Sequence, residues 1–310
     1  MEELLAAEPE FVIPCVPWGE MGPTTTALAE AGMAVLAETP PAADLDGLRR
    51  LWSAVGDRNL VQVAEQYLYM PQHAARLALT REGVIGAVTS VQVSSTHLYH
   101  AISMIRGFLD VGRGPVTVQA QCFTAPLANP LSPSGWSGSA DPEPLGTTLA
   151  TLDFGGSRMA LYDFTDNQWW NPLRARRIVI RGSLGEIVDE RVTRLVDPYT
   201  PVESPLVRRQ AGLDLNLEGV DLQHISFEGR VLYRNAFAGA RFSEDDLAVA
   251  DLLAAMAAWC RGKGPEPYPL AEACVDHQIA LAIGESISTG RSVTTTAEGW
   301  WDAASREAAA

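Results

Sequence analysis

The sequence predicts an α/β protein in two parts: half of a doubly wound parallel sheet over residues 1–68, then an open, mostly antiparallel sheet with flanking helices over residues 69–310. Short apolar runs alternate with helical patterns at the start of the chain, which is typical of parallel strands joined by crossover helices. Later segments flank glycine-containing turns, which is the pattern of successive hairpins. With 310 residues and 47% hydrophobic content, the chain suits one large or two ordinary domains.

The apolar run Met33–Ala37 ends abruptly in Glu38, Thr39 and Pro40. A run this short, preceded by Gly32, predicts a buried parallel strand, and the proline stops it because it cannot donate to a sheet ladder. Ligands of open α/β sheets bind just beyond the carboxyl ends of strands. Taken alone, Glu38 would be interpreted only as a turn residue that caps the next helix.

Two further apolar runs, Phe11–Pro17 and Leu60–Gln66, accompany helical patterns over 23–31 and 43–56. Strand, helix, strand, helix, strand is the pattern of right-handed crossovers, so the three strand ends are expected side by side. That arrangement is half of a nucleotide-binding fold. The predicted strand ends contribute the candidate cofactor-binding residues Pro17, Trp18, Glu38, Thr39, Pro40 and Gln66.

The first turn of such a fold normally carries a glycine-rich loop whose backbone N–H groups hold a pyrophosphate. No G-x-G-x-x-G occurs in the sequence. The other half would need on the order of 60 residues, at about 30 or more for each βαβ unit. We expect either that the coding start has been placed too late or that the protein has lost its phosphate-binding half.

Composition excludes several classes of function. A net charge of −15 and a pI near 4.7 argue against nucleic acid or an anionic membrane as a partner. The acidic N-terminus has no signal peptide, and no apolar run approaches the ~18–20 residues that span a membrane. The cysteines, Cys15, Cys122, Cys260 and Cys274, lack C-x-x-C spacing and are expected to be buried free thiols in the cytoplasm. The histidines show no metal-binding spacing, so no metal is predicted.

From residue 71 the pattern changes to helices and hairpins. A helix over 71–83 is followed by a half-buried strand over 85–95, which runs into T-H-L-Y-H and a helix over 101–109. The remaining predicted strands are 116–124, 149–154, 158–164, 178–180, 186–188, 222–227 and 231–235. Pro126–Gly146 is predicted as a long loop and Asp197–Leu217 as an irregular stretch. Ser243 predicts the capped start of one helix, and 270–289 a second helix closed by Gly290.

Several motifs follow one another in a fixed order: V-L-A-E-T-P-P, V-A-E-Q-Y, G-V-I-G-A-V, S-T-H-L-Y-H-A-I-S-M-I-R and L-A-E-A-C-V-D-H-Q-I-A-L-A-I-G-E-S-I-S-T-G-R-S-V. Over residues 8–301 this series resembles the Gfo/Idh/MocA oxidoreductases, relatives of glucose–fructose oxidoreductase and inositol dehydrogenase. The resemblance implies a Rossmann-type domain, here only its C-terminal half over 1–68, and a substrate and oligomerisation domain over 69–310. It also implies NAD or NADP as cofactor and a sugar, cyclitol or related small molecule as substrate.

The resemblance carries over unevenly to individual residues. The family's E-K-P motif matches Glu38-Thr39-Pro40, so Thr39 stands at the lysine position, and the only lysine, Lys263, lies far along the chain. The family's D-x3-H acid–base pair matches Thr96 and His100, so only the histidine is retained. A hydroxyl at residue 39 can donate a hydrogen bond but cannot act as a cationic acid, which weighs against ordinary sugar dehydrogenation.

His100 is the main catalytic candidate because an imidazole titrates near neutrality. A histidine at a strand-to-helix corner that only bonds backbone is the simpler alternative, and the resemblance favours catalysis. His97 is a second polar candidate, together with Thr39 and Thr96, whereas Tyr99 is expected to pack.

Other side chains have simpler explanations. Arg106 could clamp a carboxylate, but pairing with an acidic surface residue is favoured. The adjacent Trp169 and Trp170 could line a pocket, but an interface role is favoured. By analogy with the family, we expect a homo-oligomer that packs through the C-terminal sheet.

Two functional hypotheses remain open. In the first, the chain is part of an NAD(P)-dependent oxidoreductase with altered acid–base residues and His100 as the acid or base. In the second, it is a cofactor-free derivative that binds a small ligand or performs lyase-like or isomerase-like chemistry through His100. For the chain as given, weak or no NAD(P) binding is predicted, because the glycine-rich loop is missing.

Overall fold

A computed structural model describes residues 2–210 and 221–302. Its α-helices are α1 (Glu2–Ala6), α2 (Trp18–Glu30), α3 (Leu45–Val55), α4 (Pro71–Arg81), α5 (Leu98–Leu109), α6 (Glu244–Cys260) and α7 (Leu270–Thr289). Its strands are β1 (Val35–Ala37), β2 (Val61–Val63), β3 (Val88–Ser94), β4 (Thr117–Ala128), β5 (Leu131–Ser132), β6 (Gly135–Trp136), β7 (Pro142–Asp153), β8 (Met159–Thr165), β9 (Arg177–Gly182), β10 (Gly185–Val188), β11 (Arg191–Asp197), β12 (Thr200–Gln210), β13 (Leu222–Phe227), β14 (Arg230–Arg234) and β15 (Val293–Thr294). Short 3-10 turns cover Tyr67–Tyr69 and Gly299–Asp302.

The N-terminal parallel unit is small. β1 and β2 pair in parallel, with Ala37 opposite Val63, and both strands are fully buried. The strand predicted over 11–17 is reduced to one parallel bridge between Val12 and Val35. Pro14 interrupts that segment, because it has no N–H to donate to a ladder. Parallel strands joined by a crossover helix are therefore confirmed, with less pairing than expected.

Helix α2 begins at Trp18, five residues before the predicted start at Pro23. Pro23 lies inside the helix, where it removes a single backbone donor from the second turn. Helix α3 begins at Asp44, whose carboxylate accepts a hydrogen bond from the Gly47 N–H at 2.7 Å. Helix α6 has the predicted capping box, in which Ser243 and Asp246 bond reciprocally. None of the helices in the described ranges is both long enough and apolar enough to cross a membrane.

The second sheet runs in the order β14-β13-β12-β11-β10-β9-β3-β8-β7-β4-β15. All of its neighbouring strands are antiparallel except β3 and β8, which are parallel. Helices α5 and α7 pack together and against β3 and β4. Apolar side chains that are buried in the core on these strands include Val91, Val93, Val118 and Leu152. Exposed apolar side chains include Phe123, Met159 and Leu161. The predicted open, mostly antiparallel sheet with flanking helices is confirmed.

Two segments contain more strand than predicted. Much of Pro126–Gly146 belongs to the long β4–β7 ladder, where Pro126 lies opposite Pro144. Pro126 lies on β4 beyond the short stretch that pairs with β15, and Pro144 lies on β7 before the stretch that pairs with β8 from residue 147. Each proline therefore has a free edge on one side, where its missing N–H is tolerated. The stretch Asp197–Leu217 was predicted as irregular, but β12 occupies it as far as Gln210, and its last residues lie outside the described ranges.

The expectation of buried thiols holds only for Cys274. Cys15 and Cys122 are exposed, and Cys260 is half-buried. Cys15 follows the isolated bridge at Val12, in a segment with little further pairing, and therefore reaches the surface.

Candidate active site

The site begins at the carboxyl end of β2. The Ala64 N–H donates to the Ala37 carbonyl at 2.7 Å, which keeps the chain beside β1 just beyond the last register pair. The next residue, Glu65, is fully buried. One of its carboxylate oxygens accepts a hydrogen bond from the Tyr67 N–H at 3.0 Å. The turn after β2 thus holds the Glu65 carboxylate in one orientation.

His100 approaches this carboxylate from the other sheet. It lies in the first turn of α5, directly after β3, and is 8% exposed. Its Nδ1 lies 2.6 Å from Glu65 Oε2. Since an ionised carboxylate can only accept, Nδ1 carries the proton in this bond. Nε2 of a neutral His100 ring is then left with its lone pair, which is the form a general base requires.

Aromatic rings surround His100. Tyr67 stacks on the imidazole with ring centroids 4.5 Å apart, and Tyr99 and His97 meet it edge-on at 5.4 and 5.0 Å. Trp169 in turn packs edge-on against His97 at 4.9 Å. Partial burial, followed by the neighbouring His100, lowers the pKa of His97, so His97 is neutral near pH 7. The rings fix the His100 plane and reduce the water around it.

Thr96 lies in the same cluster, but the hydrogen bonds of its side chain within the described residues go to Tyr67 and Trp169 instead of His100. Its buried hydroxyl donates to the Tyr67 hydroxyl at 2.8 Å and accepts from Trp169 Nε1 at 3.4 Å. Thr96 therefore helps to position Tyr67. Position 96 carries no carboxylate, and the carboxylate that contacts His100 is that of Glu65, which follows a different strand.

Thr39 lies at the same edge of the parallel unit. Thr39 and Glu65 each lie two residues beyond the register pair Ala37–Val63, so both follow the carboxyl ends of adjacent strands. Thr39 and Pro40 are half-buried and joined by a cis peptide bond. The parallel unit thus brings Thr39 and the Glu65–His100 pair to one sheet edge.

The other predicted cofactor residues lie around this edge with varied exposure. Glu38 is exposed beside Thr39, and Gln66 is half-buried beside Glu65. Pro17 caps α2, and Trp18, its first residue, is 54% exposed. Trp18 also lines a groove between α2 and α3, with Ala43 and Arg50 on its opposite wall.

Two features of the cluster were missed from the sequence. Glu65 was visible as a carboxylate directly after a buried strand, within V-A-E-Q-Y, which is the signal that could have identified it. No sequence pattern near Trp169 predicts its place in the cluster. It reaches the end of β3 because β8 pairs with β3, and Trp169 lies in the segment after β8. Its neighbour Trp170 is 46% exposed and does not join the cluster through a recorded ring contact.

Arg106 is not paired with a surface acid as expected. It is 5% exposed and bonds to Asp276 at 2.7 Å and to Glu272 at 2.5 Å, both on α7. Asp276 also accepts a hydrogen bond from the Tyr268 hydroxyl. Burial raises the pKa of Asp276 to about 6 despite the adjacent guanidinium. The expectation failed because α7, more than 160 residues further on, packs across α5.

No family model and no curated protein matches this chain. Among solved structures, an oxidoreductase from Agrobacterium radiobacter in complex with NAD+, L-tartaric acid and magnesium has a TM-score of 0.65 at 14% identity, over 94% of this chain and 82% of that one. A levoglucosan dehydrogenase with NADH and levoglucosan has a TM-score of 0.63 at 18% identity, over 93% and 80%. A myo-inositol dehydrogenase from Corynebacterium glutamicum has a TM-score of 0.59 at 20% identity, over 96% and 84%.

These structures are Gfo/Idh/MocA-type oxidoreductases with Rossmann-like folds. The fold that the sequence resemblance implies is therefore confirmed. Sequence identities of 14 to 20% establish the likeness of fold, and the chemistry has to be argued from the residues of this chain.

Proposed function

We propose that this chain belongs to the Gfo/Idh/MocA oxidoreductases and is an NAD(P)-dependent enzyme acting on a hydroxyl or carbonyl carbon of a sugar, cyclitol or related small molecule. The observation that carries the proposal is the buried 2.6 Å bond between Glu65 and His100, at the carboxyl end of a parallel strand. A carboxylate-oriented imidazole at the ligand-binding edge of an α/β sheet is suited to moving a hydroxyl proton.

The residues at this edge fit the nicotinamide end of a dinucleotide. Thr39 and Gln66 follow adjacent strand ends and are half-buried, so their polar groups can hydrogen-bond a carboxamide or ribose while remaining accessible. A bound nicotinamide would exchange hydride with the substrate carbon. The sequence carries no G-x-G-x-x-G motif, the turn that usually holds the pyrophosphate. NAD and NADP are equally compatible with these residues.

His100 performs the proton step. In the oxidising direction, Nε2 accepts the proton of the substrate hydroxyl while the C–H bond breaks and the C=O bond forms. The resulting imidazolium is stabilised by the Glu65 carboxylate at Nδ1. In the reducing direction, Nε2 returns the proton to the carbonyl oxygen. Thr39 and the neutral His97 would orient the substrate oxygen by hydrogen bonding.

The remaining assignments follow from the same proposal. Residues 1–68 form the C-terminal half of the dinucleotide-binding domain, and residues 69–310 form the substrate domain. We propose a homo-oligomer in the cytoplasm, packed through the C-terminal sheet and without nucleic acid or membrane as partner. The exposed apolar residues Phe123 on β4 and Met159 and Leu161 on β8 support that surface.

A second function fits the same oriented imidazole: cofactor-free ligand binding, or elimination or isomerisation with His100 as the base. The two differ in their need for a nicotinamide. The test is to incubate purified protein with polyols, cyclitols and sugars, with and without millimolar NAD+ or NADP+, and to follow cofactor reduction and substrate loss.

We expect cofactor-dependent turnover that falls by about 10²–10⁴-fold in His100→Asn. Circular dichroism of the variant checks that its fold is intact. Turnover of substrate without cofactor, abolished by the same variant, would select the second function. Cofactor-dependent turnover that is unchanged in His100→Asn would contradict the proposed role of His100.

A further inference from the structure

A second cavity adjoins the histidine cluster, and we propose that it binds an oxyanion group, a carboxylate or a phosphate monoester, carried by the polyhydroxylated substrate. The cavity has a volume of about 480 Å³. It shares Tyr67 and Trp169 with the cluster and is otherwise lined by α4, β9, β10 and the start of β11. This inference rests on the proposed function, since it names the substrate class of the same site.

The main support is Arg76 in the cavity wall. It is 3% exposed, and its recorded hydrogen bonds run from Nε to the Asp189 carbonyl at 2.8 Å and from Nη1 to His73 Nδ1 at 3.0 Å. Neither partner atom belongs to a charged carboxylate. The charges of Asp189, Glu190 and Glu244 act on this buried guanidinium, but its side-chain hydrogen bonds in the described ranges go to uncharged acceptors. An anion in the adjoining space would give it a directly bonded charged partner.

The His73 ring serves here as an acceptor. Burial, followed by the charge of Arg76, lowers the pKa of His73 well below its ordinary value, so the ring is neutral. Burial also lowers the pKa of Arg76 to about 10, so it remains protonated at pH 7. The pair therefore contributes one full positive charge.

An independent observation comes from Ser95, another residue of the cavity lining. The Ser95 hydroxyl is buried and has no hydrogen-bond partner among the described residues, although the residue lines the cavity. Ser95 directly follows β3 and precedes Thr96 of the cluster. Buried hydroxyls are rarely left unpaired, so a ligand oxygen is the natural partner for this one. Arg76 on α4 and Ser95, the residue after β3, together supply donors from two separate elements.

Arginines are the most numerous charged residues of the cavity lining. Arg176 and Arg191 line it with Arg76, against the carboxylates of Asp189 and Glu190, and Arg191 also pairs at 3.8 Å with Glu203 outside the lining. One oxygen of Asp189 is already occupied, since its Oδ1 accepts the Ile178 N–H at 2.8 Å. The planar guanidinium of Arg76 suits two-point recognition of a carboxylate or phosphate.

The position of the cavity gives the oxyanion a role in the reaction. Tyr67 borders the cavity and stacks on His100 at 4.5 Å, and Trp169 borders it and contacts His97. A substrate anchored at Arg76 would extend along these two rings, which are suitable surfaces for the apolar face of a sugar-like chain. Its hydroxyl end then approaches the Glu65–His100 pair.

The test is calorimetric titration of the full chain without cofactor, using D-gluconate, sorbitol 6-phosphate, sorbitol and inorganic phosphate as probes. We expect gluconate and sorbitol 6-phosphate to bind at least 10-fold more tightly than sorbitol and than phosphate. Arg76→Met and Ser95→Ala should each reduce that preference. Arg76→Lys should retain part of it, because the charge remains while the planar fork is lost.

The matched control is Arg181→Gln, an exposed arginine that pairs with Glu186 and lies outside the cavity. It should bind the probes as the wild type does. The inference would be overturned if sorbitol or inorganic phosphate bound as tightly as gluconate. It would also be overturned if the preference survived in Ser95→Ala and in folded Arg76→Met. Preferential binding that depends on Arg76, in a protein without cofactor-dependent turnover, would support this site while rejecting the proposed function.

Discussion

Glu65 and His100 lie 35 positions apart in the sequence and follow strands of different sheets, yet their side chains meet at 2.6 Å in a buried site. Glu65 follows the parallel strand β2, and His100 opens the helix that follows the central strand β3 of the large sheet. The bond therefore depends on both sheets keeping their relative positions. A carboxylate and an imidazole held in this way provide an oriented base with a defined tautomer.

Replacing Glu65 with Gln should disturb the His100 ring without unfolding the protein. The amide keeps the shape of the side chain but removes the charge that strengthens the Nδ1–H bond. We expect the far-downfield proton resonance of His100 Nδ1–H in the wild type to be lost or shifted upfield in Glu65→Gln. The control is Thr96→Val, since Thr96 bonds to Tyr67 instead. An unchanged resonance in Glu65→Gln would refute the bond.

Arg106→Met should destabilise the protein by about 3–5 kcal/mol, because it leaves the buried carboxylate of Asp276 without its cation. The half-buried Glu272 also loses this partner but keeps its contact with Arg113. The measurement is urea unfolding at pH 7. The matched control is Arg261→Gln, which breaks an exposed pair with Glu10 and should leave the unfolding midpoint unchanged. Equal shifts of the midpoint in the two variants would show that burial of the Arg106 network contributes nothing.

His277 should make the protein less stable in mild acid. Burial lowers its pKa from 6.5 to about 4. Between these values the unfolded chain binds a proton that the folded chain excludes, so stability rises with pH. The contribution is roughly 3 kcal/mol across the interval, at ~1.4 kcal/mol per pKa unit. The raised pKa of Asp276 acts in the opposite sense between about 4 and 6, which is why a variant comparison is needed.

The comparison uses His277→Leu, with unfolding measured from pH 8 to pH 4. From pH 6.5 downward, we expect the wild type to lose more stability than the variant does. Toward pH 8 the wild-type ring is neutral in both the folded and unfolded states. There the difference in unfolding free energy between the two proteins should no longer change with pH. If the unfolding free energies of the wild type and His277→Leu ran parallel over the whole pH range, His277 would be protonated as easily in the folded state as in the unfolded one.

The chain as given should bind NAD(P) weakly. The edge of β1 and β2 offers contacts for the nicotinamide end, but the sequence has no glycine-rich turn to hold the pyrophosphate. Calorimetric titration with NAD+ and NADP+ should show dissociation constants above the micromolar range. Micromolar or tighter binding would show that other residues hold the phosphates.

The sequence predicted most of the fold because its signals are local. Apolar runs ended by proline indicated β1, and the Ser243 capping box indicated α6 to within a residue. The errors arose where distant pairing decides the structure. Pro126–Gly146 was predicted as a loop, but the edges of the β4–β7 ladder accommodate its prolines. Arg106 was predicted to pair with an acidic surface residue, but α7 packs over it and supplies the buried Asp276.

The site was less predictable for the same reason. His100 stood out by its residue type and by its place after a strand, but its partner Glu65 comes from another sheet. Trp169 reaches the cluster only because β8 lies parallel to β3. Periodicity and turn residues specify elements, whereas the contacts between these elements depend on packing over long sequence separations.

The measurement that tests the central claim most directly is a double-mutant cycle on turnover with Glu65→Gln, His100→Asn and the double variant. If the two residues act as one unit, the double variant will turn over substrate no more slowly than His100→Asn alone. Independent effects that multiply in the double variant would contradict the account, because they would separate the carboxylate from the imidazole that it is proposed to orient.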